Sequence, residues 1–187
     1  MPSFPPVING KIKFFYIGRI CYVKGLHVLL HAFSLVNNPH IELHLIGGTG
    51  NKTERRYEHQ LKKQYTSDPR IMWHGKVTPE QVFNTIQNFH ILVHPAIYLE
   101  VFGLNIAESL AMGKPVLATR CGGAEMQIKE GVNGRLVEPN NVEELTKKIQ
   151  EIAVHINHYK PDNSTSKVIS IQEHCKSLIR LYEEVTH

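Results

Sequence analysis

A three-layer α/β/α domain on a parallel sheet of about six strands is the architecture predicted by this 187-residue sequence. Three observations predict it. Short apolar runs of strand length recur along the chain, and several end in Gly or Pro. Segments with helical spacing separate them, which implies right-handed βαβ crossovers and parallel pairing. The run PVLAT (115–119) is apolar without alternation, as a strand covered on both faces must be.

The strand candidates in order are KIKFFYIG (Lys11–Gly18), IELHLIGG (Ile41–Gly48), RIMWHG (Arg70–Gly75), HILVHP (His90–Pro95), PVLATRCGG (Pro115–Gly123) and a weaker GRLVEP (Gly134–Pro139). Helices are expected over about 25–36, 53–66, 79–88, 104–112, 124–130 and 142–157. The third opens on Thr78-Pro79-Glu80-Gln81, a capping box with Pro at the first helical position. The sixth opens on Asn141 followed by Glu143 and Glu144, an N-cap with acidic first-turn residues. The chain reads as one domain over 1–187. Its core spans about 11–157, a polar linker (within YKPDNSTSK) about 158–166, and a closing helix about 167–186 with Ile171, Leu178, Ile179, Tyr182 and Val185 at helical spacing. This is a Rossmann-like plan, whose ligands gather at the carboxyl ends of the strands.

Composition narrows the function classes. The chain is 42% hydrophobic and 20% charged, as ordinary globular domains are. A net charge of +4 without a dense Lys/Arg block favours small anions and excludes a nucleic-acid arm. Cys21, Cys121 and Cys175 are odd in number and far apart, which suggests free thiols in a reducing, cytoplasmic setting. No run approaches the length of a membrane span, and MPSFPPVING does not read as a signal peptide. His27 and His31 lie one helical turn apart, a spacing that also suits a metal, but no third ligand is near in sequence and none is expected.

Four strand-end loops carry candidate chemistry. In GRICYVKG (Gly18–Gly25), Arg19 and Lys24 can grip a diphosphate, Arg bidentately and Lys as a point charge; they read equally well as solvated cations. IGGTGNKTE (Ile46–Glu54) offers Gly47 and Gly48 ahead of a helix N-terminus, an anion-holding arrangement or a plain tight turn. In the stretch His94–Gly113, Glu100 lies in the loop, and Phe102 and Gly103 lead into a helix containing Glu108. Leu104, Ala107, Leu110 and Ala111 are expected to form its buried face, with Glu108 at the edge, within about 40° of Leu104. In ATRCGGAEMQI (Ala118–Ile128), Gly122 and Gly123 let the backbone approach a ligand or simply turn.

These motifs, in this order, resemble the C-terminal half of GT-B glycosyltransferases of family 4. The matches are Gly18-Arg19, Lys24-Gly25, Gly47-Gly48, His74-Gly75, Glu100-Val101-Phe102-Gly103, Glu108 through Val116, Gly122-Gly123 with Glu125, and Gly134 through Pro139, together covering about 11–157. Two positions depart: Ala96 stands where the family has Ser after Pro, and Gly48-Thr49-Gly50 replaces G-D-G.

The resemblance implies a set of roles. Glu100 would lie against the donor sugar and Glu108 bind the ribose. Arg19 and Lys24 would neutralise the donor diphosphate and stabilise the leaving group, without a metal or other cofactor. Phe102, Gly103 and Leu104 would face the sugar or distal phosphate, and Gly75, Lys76 and Val77 the base; Gly18, Gly47, Gly48, Gly122 and Gly123 would complete the donor site. The implied activity is retaining transfer of a hexosyl group from a nucleoside diphosphate sugar, in glycan or polysaccharide synthesis. The implied partner is an N-terminal acceptor domain, in cis or as a second subunit, and the complete enzyme could associate peripherally with membranes. A non-catalytic nucleotide-binding or assembly module is the alternative, and in it Glu100→Ala would leave nucleotide-sugar affinity unchanged. A dinucleotide oxidoreductase is disfavoured by the lack of GxGxxG and of an acidic residue ending the second strand.

Overall fold

The computed structural model describes residue 7, residues 10–156 and residues 172–173, 175–176 and 179–180. Six strands, β1 (Ile12–Ile17), β2 (Ile41–Ile46), β3 (Ile71–Gly75), β4 (Ile91–His94), β5 (Val116–Thr119) and β6 (Gly134–Val137), form one sheet in the order β3-β2-β1-β4-β5-β6. Every pairing is parallel. The intervening helices are α1 (Leu26–Leu35), α2 (Lys52–Gln64), α3 (Pro79–Ile86), α4 (Leu104–Ala111), α5 (Gly123–Gln127) and α6 (Val142–Val154).

The strand pleat divides the core in two. Phe14 and Tyr16 of β1 join Leu43 and Leu45 of β2, Leu29 and Phe33 of α1, Leu61 of α2 and Ile149 of α6 on one face. Phe15 and Ile17 join Ile46, Ile86 of α3, Ile106 and Leu110 of α4 and Ala124 of α5 on the other. Successive residues of β1 thus serve opposite cores, which is why IKFFYI shows no polar alternation.

Local chemistry sets the helix starts. Asn51 Oδ1 accepts from the Glu54 amide at 2.9 Å, and Asn141 Oδ1 from the Glu144 amide at 3.0 Å. The Thr78 amide donates to Gln81 Oε1 at 3.1 Å, the reciprocal half of the expected capping box. Lys114, 2% exposed, donates through Nζ to the carbonyls of Gln87 (2.8 Å) and Phe89 (2.7 Å) just beyond α3, placing a cation where a helix exposes its free carbonyls. Burial pulls its pKa down to about 8.

A 3-10 turn, Tyr22–Lys24, precedes α1. One expectation is corrected. The buried face of α4 is Ile106, Ala107, Ser109 and Leu110; Leu104 is 70% exposed and Ala111 is exposed. Over eight residues with apolar groups almost all round, a wheel does not single out one face.

The expected linker lies outside the described residues. Of the expected closing helix, Gln172, Glu173, Cys175, Lys176, Ile179 and Arg180 are helical and exposed, and its other residues lie outside. No helix among the described residues is long and apolar enough to cross a membrane.

Candidate functional site

In this strand order the crevice falls between β1 and β4. The connections leaving β1 and β2 run to one face and those leaving β4 and β5 to the other, so their loops part above these two strands. The loops at this point hold the candidate residues.

After β1 the chain turns sharply under Tyr16, whose buried hydroxyl donates to the Arg19 carbonyl at 2.6 Å. Burial pushes that phenol well above its ordinary range, so it remains a donor. Arg19 reaches the loop after β2. Its Nε lies 3.0 Å from Glu54 Oε2 and its Nη2 2.5 Å from Glu54 Oε1, a bidentate fork. Glu54 also accepts from the Gly50 amide at 2.6 Å. The Arg19 hydrogen bond, then the Gly50 amide, hold its carboxyl below the usual range.

Lys24 ends the 3-10 turn and extends Nζ to Glu100 Oε1 at 2.5 Å, bridging the loops after β1 and β4. The Ile97 amide donates to the Val23 carbonyl at 3.0 Å and ties the same loops through the backbone. Glu100 is fixed from the far side by the turn after β5. Its amide donates to the Cys121 carbonyl at 3.0 Å, and its carbonyl accepts from the Gly123 amide at 2.8 Å. A side chain at Gly123 would put Cβ 2.5 Å from Phe102 backbone atoms, and one at Gly122 (φ +75°) 2.8 Å from the Glu100 carbonyl oxygen. The glycine pair therefore seats the Glu100–Phe102 loop.

Two clefts open here. A cleft of about 550 Å³ is lined by Tyr16, Arg19, Lys24, His94, Glu100 and the start of α4, and also by Gly18, Phe102, Gly103 and Leu104. A second, of about 360 Å³, is lined by Gly47, Gly48, Lys76, Val77 and Val82. Ile17, Gly18 and Arg19 belong to both. Most of the expected donor residues are thus brought together. Gly75 lines neither cleft; its carbonyl accepts from the amide of Gly47, which lines the smaller one, at 2.8 Å. Gly122, Gly123 and Glu108 also line neither, and Glu108 is exposed on α4 one turn beyond Leu104.

Tyr16, Glu54, His94 and Asn105 were not legible as site residues. Their partners lie on other strands and loops; Asn105, for example, donates from Nδ2 to the Ile17 carbonyl at 2.9 Å and pins α4 to the end of β1. His27 stacks on Tyr22 with centroids 4.5 Å apart, and its Nδ1 lies 2.8 Å from the Tyr57 hydroxyl.

Residues 3–157 match the family model for glycosyl transferases group 1. The chain is 31% identical over 155 residues to the sucrose synthase of Melioribacter roseus, covering 74% of this chain and 19% of that protein. It spans less than half the length of each such curated relative. Among solved structures, Anabaena HepE in complex with UDP and glucose superposes with a TM-score of 0.82 at 22% identity, over 93% of this chain and 48% of that one. The C-terminal domain of LpcC, a group 1 glycosyl transferase from Francisella tularensis, superposes with a TM-score of 0.71 at 21% identity, over 85% of this chain and 89% of that one. The chain belongs to the group 1 glycosyl transferase family and has the fold of the C-terminal half of a GT-B enzyme.

Proposed function

We propose that this chain is the donor-binding domain of a retaining glycosyltransferase that moves a hexosyl group from a nucleoside diphosphate sugar to an acceptor in glycan synthesis. One observation carries the reading: Arg19 and Lys24 converge with Glu100 and the start of α4 in one cleft, beside a second cleft that shares Gly18 and Arg19. The presence of UDP and glucose in the HepE complex supports the same ligand class.

In this reading the diphosphate lies over Gly18 and Arg19, between the clefts. Lys76 and Val77 hold the base, and Glu100 and the residues opening α4 face the sugar. Glu108 is kept as the ribose ligand on the family resemblance alone. Negative charge grows on the diphosphate as the glycosidic bond breaks. Arg19, Lys24 and the free amides at the start of α4 stabilise it, a leaving-group catalysis that calls for no metal. An acceptor-binding domain, in the same longer polypeptide or as a partner subunit, completes the enzyme.

Arg19→Ala and Lys24→Ala are each expected to weaken nucleoside diphosphate binding by about 1–3 kcal/mol and to leave free nucleoside affinity unchanged. Calorimetric titration of both variants with UDP, GDP and ADP checks this. Diphosphate affinities equal to those of the unsubstituted chain would remove the two cations from the site.

A further inference from the structure

His94 ends β4 and is 3% exposed, yet it lines the larger cleft. Its Nε2 is buried without a hydrogen-bond partner, which is costly for a ring nitrogen. The carboxylate of Glu100 comes near but does not close the gap: Oε2 is 3.8 Å from Nε2, beyond hydrogen-bond range. The other oxygen, Oε1, is held by Lys24 at 2.5 Å. Asn105, itself tied to the Ile17 carbonyl, faces the imidazole from the start of α4. Glu100 therefore has one partner engaged and a second within a short side-chain movement. The engaged partner is a cation lining the cleft that an incoming anion would draw away.

We propose that Glu100 exchanges partners when a diphosphate enters the cleft: Lys24 turns to the phosphates, and the carboxylate moves onto Nε2 of His94, which then sets its position. The inference rests on the donor-binding reading of the cleft. His94 acts through Glu100 and is a positioning residue. The groups facing it are Glu100 and Lys24 from the two loops and the Asn105 amide from α4, with the Tyr16 phenol of β1 lining the same cleft. Burial lowers the imidazole pKa to about 4; Glu100 opposes this and the Lys24 charge adds to it. Departure of Lys24 and approach of Glu100 both favour a proton on Nε2, taken up from solvent.

Imidazole ¹⁵N spectra of the histidine-labelled chain, recorded across pH, test the exchange. Saturation with UDP, GDP or ADP, whichever binds by calorimetry, is expected to raise the proton affinity of His94 about tenfold or more. Lys24→Met is expected to do the same without ligand. Glu100→Gln is expected to cut the ligand-induced rise to the part that departure of Lys24 supplies. A bound diphosphate that leaves the His94 titration unmoved would overturn the exchange. If no diphosphate binds, the donor-binding reading fails separately, and an unmoved His94 in Lys24→Met then overturns the exchange on its own.

Discussion

Gly25→Ala is expected to lower the unfolding free energy by about 2–4 kcal/mol and to part the two loops that form the donor cleft. Gly25 has φ +69°, a left-handed conformation that alanine adopts only with strain. Its Cβ would stand 1.8 Å from the Pro95 carbonyl oxygen and 3.1 Å from Ile97 Cγ2. Neither side yields easily. The Pro95 segment is anchored through the next residue, whose carbonyl accepts from Thr119 Oγ1 at 2.5 Å, and Ile97 is bonded to Val23. The displaced element carries Lys24, so the 2.5 Å contact with Glu100 should be lost with the stability. Urea unfolding checks the first effect through a lower midpoint at unchanged slope, and diphosphate titration checks the second. A midpoint equal to that of the unsubstituted chain would mean that the loops do not meet at Gly25.

Acidification from pH 6.5 to 4 is expected to destabilise the domain, and the fall begins above the ordinary carboxylate range. Burial lowers the pKa of both His94 and His44 to about 4. The sign follows from proton binding. Between the unfolded value near 6.5 and the folded value near 4, the unfolded chain binds more protons, so stability is present above pH 6.5 and falls as pH approaches 4. For His94 the loss is on the order of 3 kcal/mol. His44 adds in the same direction; it stacks on His74 and packs beside Phe89, with Glu42 3.3 Å from its Nε2 partly offsetting the burial. Carboxylates held low by cations, such as Asp68 by Arg70, add their own loss from about pH 5 downward. Unfolding free energies measured at steps from pH 7 to 4 should show the fall, and His94→Gln should reduce it to the part that His44 and the other lowered imidazoles supply. A flat profile for the unsubstituted chain would show that neither imidazole is held neutral by burial.

The fold was readable because each element carries its own signal. The six strand runs all appear, and the parallel arrangement follows from their alternation with helices. The site was readable in part, for a physical reason. Arg19, Lys24 and Glu100 sit in loops whose position at strand ends is implied by local pattern, and the structure brings them to one cleft. What holds them in place is non-local. Glu54 grips Arg19 across 35 positions and Lys24 meets Glu100 across 76, distances over which spacing carries no information. His94 sits at the end of an apolar run, where a buried histidine and a cleft histidine look alike. The glycine pair after β5 reads as a place where the backbone approaches a ligand or simply turns, and what it approaches in the structure is the Glu100–Phe102 loop. On α4, eight residues with few polar markers gave a misplaced face, and only packing against β4 and β5 resolves it.

The central claim is that the two clefts at the β1–β4 crossover bind a nucleoside diphosphate sugar. Amide chemical-shift mapping of the chain during titration with UDP-, GDP- and ADP-glucose tests it most directly. One of these donors is expected to perturb the amides of Gly18, Arg19 and Lys24, those of Glu100 to Leu104, and those of Lys76 and Val77, while α6 stays silent. Saturable perturbations confined to other surfaces, or none with any of the three donors, would contradict it.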